Sequence, residues 1–100
     1  MSFEWVDSEE ALEDVVTSVL SGSRYAIDTE FHREKTYFPR LALVQIRWQD
    51  RTALIDPLAV DPRGLGRLFK CNTLAVFHAA QQDIEVLRHA SLEAPKNIFD

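Results

Sequence analysis

Leu41-Ala42-Leu43-Val44-Gln45-Ile46, then Gln49-Asp50, then Thr52-Ala53-Leu54-Ile55, is the stretch that decides the fold. Its first segment is a continuous apolar run with one polar break, the pattern of a strand covered on both faces. Gln49-Asp50 reads as a turn and Thr52 to Ile55 as a returning strand, which makes the two a hairpin.

Reading outward towards the N-terminus, Arg24 to Glu30 is a strand, and Phe31 to Pro39 is a polar and aromatic loop closed by a proline. Leu12, Val15, Val16, Val19 and Leu20 recur at helical spacing. They predict an amphipathic helix that ends near Ser21-Gly22, with Asp7 as N-cap and Glu10 completing a capping box. Phe3 to Val6 is a short alternating segment ahead of it. Reading towards the C-terminus, Asp61-Pro62 opens a short helix through Leu65, Leu68 and Phe69, and Leu74 to Phe77 is a strand. The helical pattern returns from Ala79 to His89, with Ala80, Ile84 and Leu87 on one side, and Ile98-Phe99 starts a further strand. A β-meander followed by β-α-β units predicts an α/β sheet of mixed direction rather than a doubly wound parallel one.

At 100 residues, with 46% hydrophobic and 27% charged content, the chain holds at most one globular domain. Sixteen acidic against eleven basic residues give a net charge of −5, which argues against binding nucleic acid by a broad basic surface. An acidic pocket that carries divalent cations still attracts phosphates. Arg33, Lys35 and Arg40 cluster behind the acidic Asp28-Thr29-Glu30 segment, the plain reading being a solvated loop. No apolar stretch approaches bilayer-spanning length, and Met1-Ser2-Phe3-Glu4-Trp5 lacks the pattern of a signal peptide, so the expected compartment is the cytoplasm. Cys71 is the single cysteine, which leaves no internal disulfide and no cysteine-based zinc site.

Asp28 and Glu30 lie two apart on a strand and therefore share a face, with roughly 6–7 Å between Cα atoms. Two carboxylates side by side repel unless protons or cations intervene, and hard divalent ions prefer such oxygens. An acidic pair that merely faces water fits the triplet equally well. Asp83 adds a third acid in the first turn of a helix, where the helix dipole favours a carboxylate whatever its function. His78 sits at a strand end, as a structural histidine or as part of a site. Strand ends of α/β sheets are where sites are assembled from distant segments.

Ala26-Ile27-Asp28-Thr29-Glu30-Phe31, Thr36-Tyr37-Phe38-Pro39-Arg40-Leu41-Ala42-Leu43-Val44-Gln45, Leu54-Ile55-Asp56-Pro57 and Phe77-His78-Ala79 leading to Asp83 together resemble the ribonuclease D family of DEDD 3′–5′ exonucleases. The resemblance runs in order across almost the whole chain and implies a ribonuclease H-like fold. It further implies two divalent cations, Mg²⁺ or Mn²⁺, with Asp28 bridging both, Glu30 completing the shell of one and Asp83 supporting the other. Phe31 and His32 would line the path of the terminal nucleotide, with Phe31 as a core residue the alternative; His78 would contact substrate or steady the helix of Asp83. The implied activity is trimming of RNA 3′ ends, such as those of tRNA precursors and other structured RNAs. A DNA-directed proofreading exonuclease and a non-catalytic binding domain of the same fold are the alternatives.

The family's third motif, a Tyr or His four residues before a fourth Asp, has no counterpart. Asp56 and Asp61 do not follow a Tyr or His at that spacing, and Asp100 resembles the acid that opens the next helix. The expectation is therefore that residues 1–100 form the N-terminal part of a single exonuclease domain, with no second domain present. Alone they would show little or no nuclease activity, and an uncovered sheet face would promote self-association.

Overall fold

The computed structural model describes residues 3–32 and 40–100, including the backbone of His32 but not its side chain. Its elements in order are β1 (Phe3–Val6), α1 (Glu9–Leu20), β2 (Arg24–His32), β3 (Arg40–Trp48), β4 (Arg51–Ile55), a 3₁₀ turn (Pro62–Leu65) running into α2 (Gly66–Phe69), β5 (Leu74–Val76), α3 (Ala80–His89) and β6 (Ile98–Phe99). The six strands form one sheet in the order β1-β4-β3-β2-β5-β6. β2, β3 and β4 are an antiparallel meander, while β1 joins β4 and β5 joins β2 in parallel, with β6 parallel to β5 beyond it. This is the expected mixed sheet. Parallel neighbours need crossovers, and α3 supplies the one between β5 and β6.

Register assigns every strand residue to a side. Val6, Ile55, Val44 and Thr29 form one row across the sheet, and Trp5, Leu54, Gln45 and Asp28 form the next row on the opposite side. Side chains from all three helices join the same cluster as Val6, Ile27, Val44, Ile46 and Ile55, so the helices cover one face. β3 is consequently not covered on both faces as its composition suggests. Val44, Ile46 and Trp48 are buried, whereas Leu43 and Gln45 are half-buried and Arg47 is exposed. The apolar run misleads because a register shift between Glu30 and Phe31 pairs Phe31 with Leu41 and skips Ala42. The extra residue lets Leu41 and Val44, three apart, both reach the core.

α1 begins one residue later than the expected capping box. Ser8, in extended backbone geometry, accepts from the Ala11 N–H at 3.2 Å, so the cap is Ser8 rather than Asp7. The 3₁₀ turn packs closely on α1, and a Cβ at Gly64 would lie 2.6 Å from Leu12 Cδ2, so a larger residue there would require the Leu12 side chain to shift. On the open face Phe3, Trp5 and Phe99 are 63%, 56% and 63% exposed. Arg33, Lys35 and the Tyr37-Phe38-Pro39 segment lie outside the described residues.

Candidate active site

β2 is a central strand with buried Tyr25, Ile27 and Thr29 alternating with exposed Ala26, Asp28 and Glu30. Asp28 and Glu30 thus share the open side of the sheet. Phe31 continues the buried series, half-buried and packed against the core, which is the alternative placement weighed for it. His32 belongs to β2 by its backbone.

Asp83 reaches β2 from the other side. It stands in the first turn of α3, only 5% exposed, and its Oδ1 accepts from the Thr29 hydroxyl at 2.5 Å and from the Thr29 N–H at 3.3 Å. The same N–H lies 3.1 Å from Asp28 Oδ1. One backbone amide therefore stands between the carboxylates of Asp28 and Asp83. Burial raises the Asp83 pKa above the ordinary aspartate value; the Thr29 hydroxyl opposes that rise, and the charges of Asp28 and Asp100 add to it.

Asp28 also lines a cleft of about 340 Å³ with His78, Gln45 and Arg47. The structure thus brings Asp28 and His78 together, and exposed His78 lies two residues past the end of β5, the strand beside β2. Gln45 and Arg47 are additions to the sequence-predicted residues. Their signal was parity: Gln45 pairs with Asp28 and Arg47 with Ala26, so both share the Asp28 face. A larger cleft of about 720 Å³, lined by Arg63, Phe69, Lys70 and Lys96 among others, contains none of the three acids.

Among the described residues, no three Asp, Glu, His or Cys side chains converge on one point as a metal-ligand group. The pleat gives the reason. Asp28 and Glu30 leave β2 on one side while Thr29 faces the other, and Asp83 follows Thr29. The donor set nevertheless fits a hard divalent ion, with exposed carboxylates on a rigid strand and a third held one amide away.

The 3′–5′ exonuclease family model matches residues 3–100, and the chain belongs to that family. Enzymes of this type are metal-dependent. Within the family the chain is similar to ribonucleases D: it is 38% identical over 98 residues to the ribonuclease D of Desulfotalea psychrophila, a match covering 95% of this chain and 26% of that protein. The crystal structure of Escherichia coli RNase D, an exoribonuclease involved in structured RNA processing, superposes with a TM-score of 0.92 at 31% identity, covering 100% of this chain and 27% of that one. The catalytic core of RRP6 from Trypanosoma brucei gives 0.89 at 30%, covering 99% and 28%. The fold is accordingly ribonuclease H-like. The chain spans about a quarter of the length of the relatives it matches.

Proposed function

We propose that this chain carries the ligand-bearing part of a 3′–5′ exoribonuclease site, with Asp28, Glu30 and Asp83 as the acids that hold two divalent cations, Mg²⁺ or Mn²⁺. The single observation that carries the reading is the convergence of Asp28 and Asp83 on the Thr29 amide, with Glu30 two residues along on the Asp28 face. Bound cations of this kind activate water and offset charge on the phosphodiester. The chain's own residues supply the rest. Asp28 and Glu30 present acceptor oxygens on the open face, Thr29 fixes Asp83, and Arg47 brings positive charge to the cleft beside Asp28. In this reading His78, which lines the same cleft, contacts the substrate.

RNA with a single-stranded 3′ end is the proposed substrate, supported by likeness to proteins named ribonuclease D. Residues 1–100 are proposed to be the N-terminal part of one exonuclease domain, supported by the quarter-length coverage of those relatives. Matched RNA and DNA single strands, labelled at the 5′ end, test the activity in a polypeptide extending through the whole domain. Shortening of RNA from its 3′ end with Mg²⁺ or Mn²⁺, lost in Asp28→Ala, is the expected result. A marked preference for DNA would replace the substrate, and tight RNA binding without shortening would replace catalysis with a binding role.

A further inference from the structure

β5 turns into α3 at Ala79, whose backbone is left-handed at φ 62° and ψ 57°. That conformation is disfavoured for a residue with a Cβ and persists where its surroundings enforce it. Ala79 is also the N-cap position, yet it has no side-chain acceptor to offer the helix. The acceptor comes from far along the chain. The Ala79 N–H donates to Asp100 Oδ1 at 2.9 Å and the Ala80 N–H donates to Asp100 Oδ2 at 3.2 Å. Asp100 directly follows β6, and the Phe77 N–H donates to Phe99 O at 2.8 Å, so the carboxylate is carried on a strand already locked to β5. Three residues past Ala80, Asp83 meets Thr29 on β2.

We propose that Asp100 is a positioning residue: its carboxylate caps α3 from outside, holds the left-handed turn at Ala79, and thereby sets where the Asp83 carboxylate stands against Thr29. Its link to catalysis rests on the exonuclease reading above, whereas its link to Thr29 does not. The two oxygens act on two successive amides, which a neutral amide side chain reproduces only by half.

The test uses the whole chain. Backbone amides of Thr29, Ala79 and Ala80 are followed by NMR, and Mn²⁺ binding is followed by electron paramagnetic resonance. Asp100→Ala should speed exchange of the Ala79 and Ala80 amides by about fivefold, the equivalent of a lost cap. It should also move the Thr29 amide resonance, 54 residues from Asp83 in sequence, and weaken Mn²⁺ binding. Asp100→Asn keeps one acceptor oxygen and should fall between wild type and Asp100→Ala. Equal effects of the two variants would mean that charge alone matters, and an unmoved Thr29 amide would mean no coupling; either overturns the proposal. Should Asp100→Ala fail to fold, Asp100→Asn decides, through a shifted or an unmoved Thr29 amide. Failure of wild type to bind Mn²⁺ in an Asp28-dependent way would sink the exonuclease reading, while the three amide signals would still decide the role of Asp100.

Discussion

Replacing Thr29 with valine removes one oxygen from the site and leaves the strand intact, since threonine and valine share β-branching and strand preference. The oxygen removed donates at 2.5 Å to a carboxylate that is 5% exposed, so a charge-assisted bond is lost where water cannot replace it. Hydrogen bonds to charged groups contribute about 1.5–3 kcal/mol, and Thr29→Val should destabilise the chain by about 2 kcal/mol at pH 7. For a domain of this size that lowers Tm by roughly 8–16 °C. Asp83→Asn should move the other way at neutral pH. The folded-state pKa of Asp83 is raised, so its proton stabilises the fold below the ordinary aspartate value, and that contribution fades as pH rises through the folded-state value. Asparagine keeps the neutral form at every pH; it should therefore gain stability over wild type at pH 7 and converge with it in acid. Urea unfolding of both single variants and the double variant at pH 7 and pH 4 measures the coupling, which should be larger at pH 7. A Thr29→Val change within about 0.5 kcal/mol of wild type at pH 7 would refute the reasoning, because effects of that size belong to surface positions.

Tyr25→Phe should stabilise the chain by about 1 kcal/mol in thermal unfolding, since the Tyr25 hydroxyl is buried with no hydrogen-bond partner among the described residues and burial drives its pKa upward. A clear loss of stability would mean that the hydroxyl has a hydrogen-bond partner in the folded chain. Ser8→Ala should cost about 1 kcal/mol in the same assay, and an equal cost for Asp7→Ala would restore the capping box first expected. In size-exclusion chromatography the chain should self-associate through the face bearing Phe3, Trp5 and Phe99, and Trp5→Lys should shift it towards monomer. A clean monomer at all concentrations would count against that face as a contact surface. In Mg²⁺ or Mn²⁺ the 100-residue chain alone should digest RNA little or not at all; robust digestion lost in Asp28→Ala would contradict this.

The meander was legible because its evidence is local. Alternation in β2 and the Gln49-Asp50 turn between β3 and β4 need no knowledge of distant residues, and Gln49 does take a positive φ of 51°. Which face of β3 the helices would cover was not legible from composition. Leu41, Leu43, Val44 and Ile46 are similarly apolar, and only the skipped residue at Ala42 decides that Leu41 and Val44 are both buried while Leu43 is not. Sequence alone also gave no parallel partner for β1, because nothing in Phe3 to Val6 names β4 rather than another edge.

The acids divide along the same line. Asp28 and Glu30 could be placed on one face by counting, because strand parity is a property of neighbours. Asp83 could be found by resemblance, yet its orientation depends on Thr29, a residue that reads as filler between two acids. Thr29 is the residue whose side chain must face the helices if Asp28 and Glu30 face outward, so the outward pair and the inward tether are one consequence of the pleat. The same logic explains why Asp100 looked like the start of something further on. In sequence it resembles a helix-opening acid, and in space its carboxylate caps α3, which begins 20 residues before it. Capping rules applied along the chain miss this, since the acceptor reaches α3 through the β5–β6 ladder rather than through the local backbone. A parallel strand that returns beside its predecessor brings its last residue to the turn its predecessor makes, and in this sheet that turn leads to Asp83.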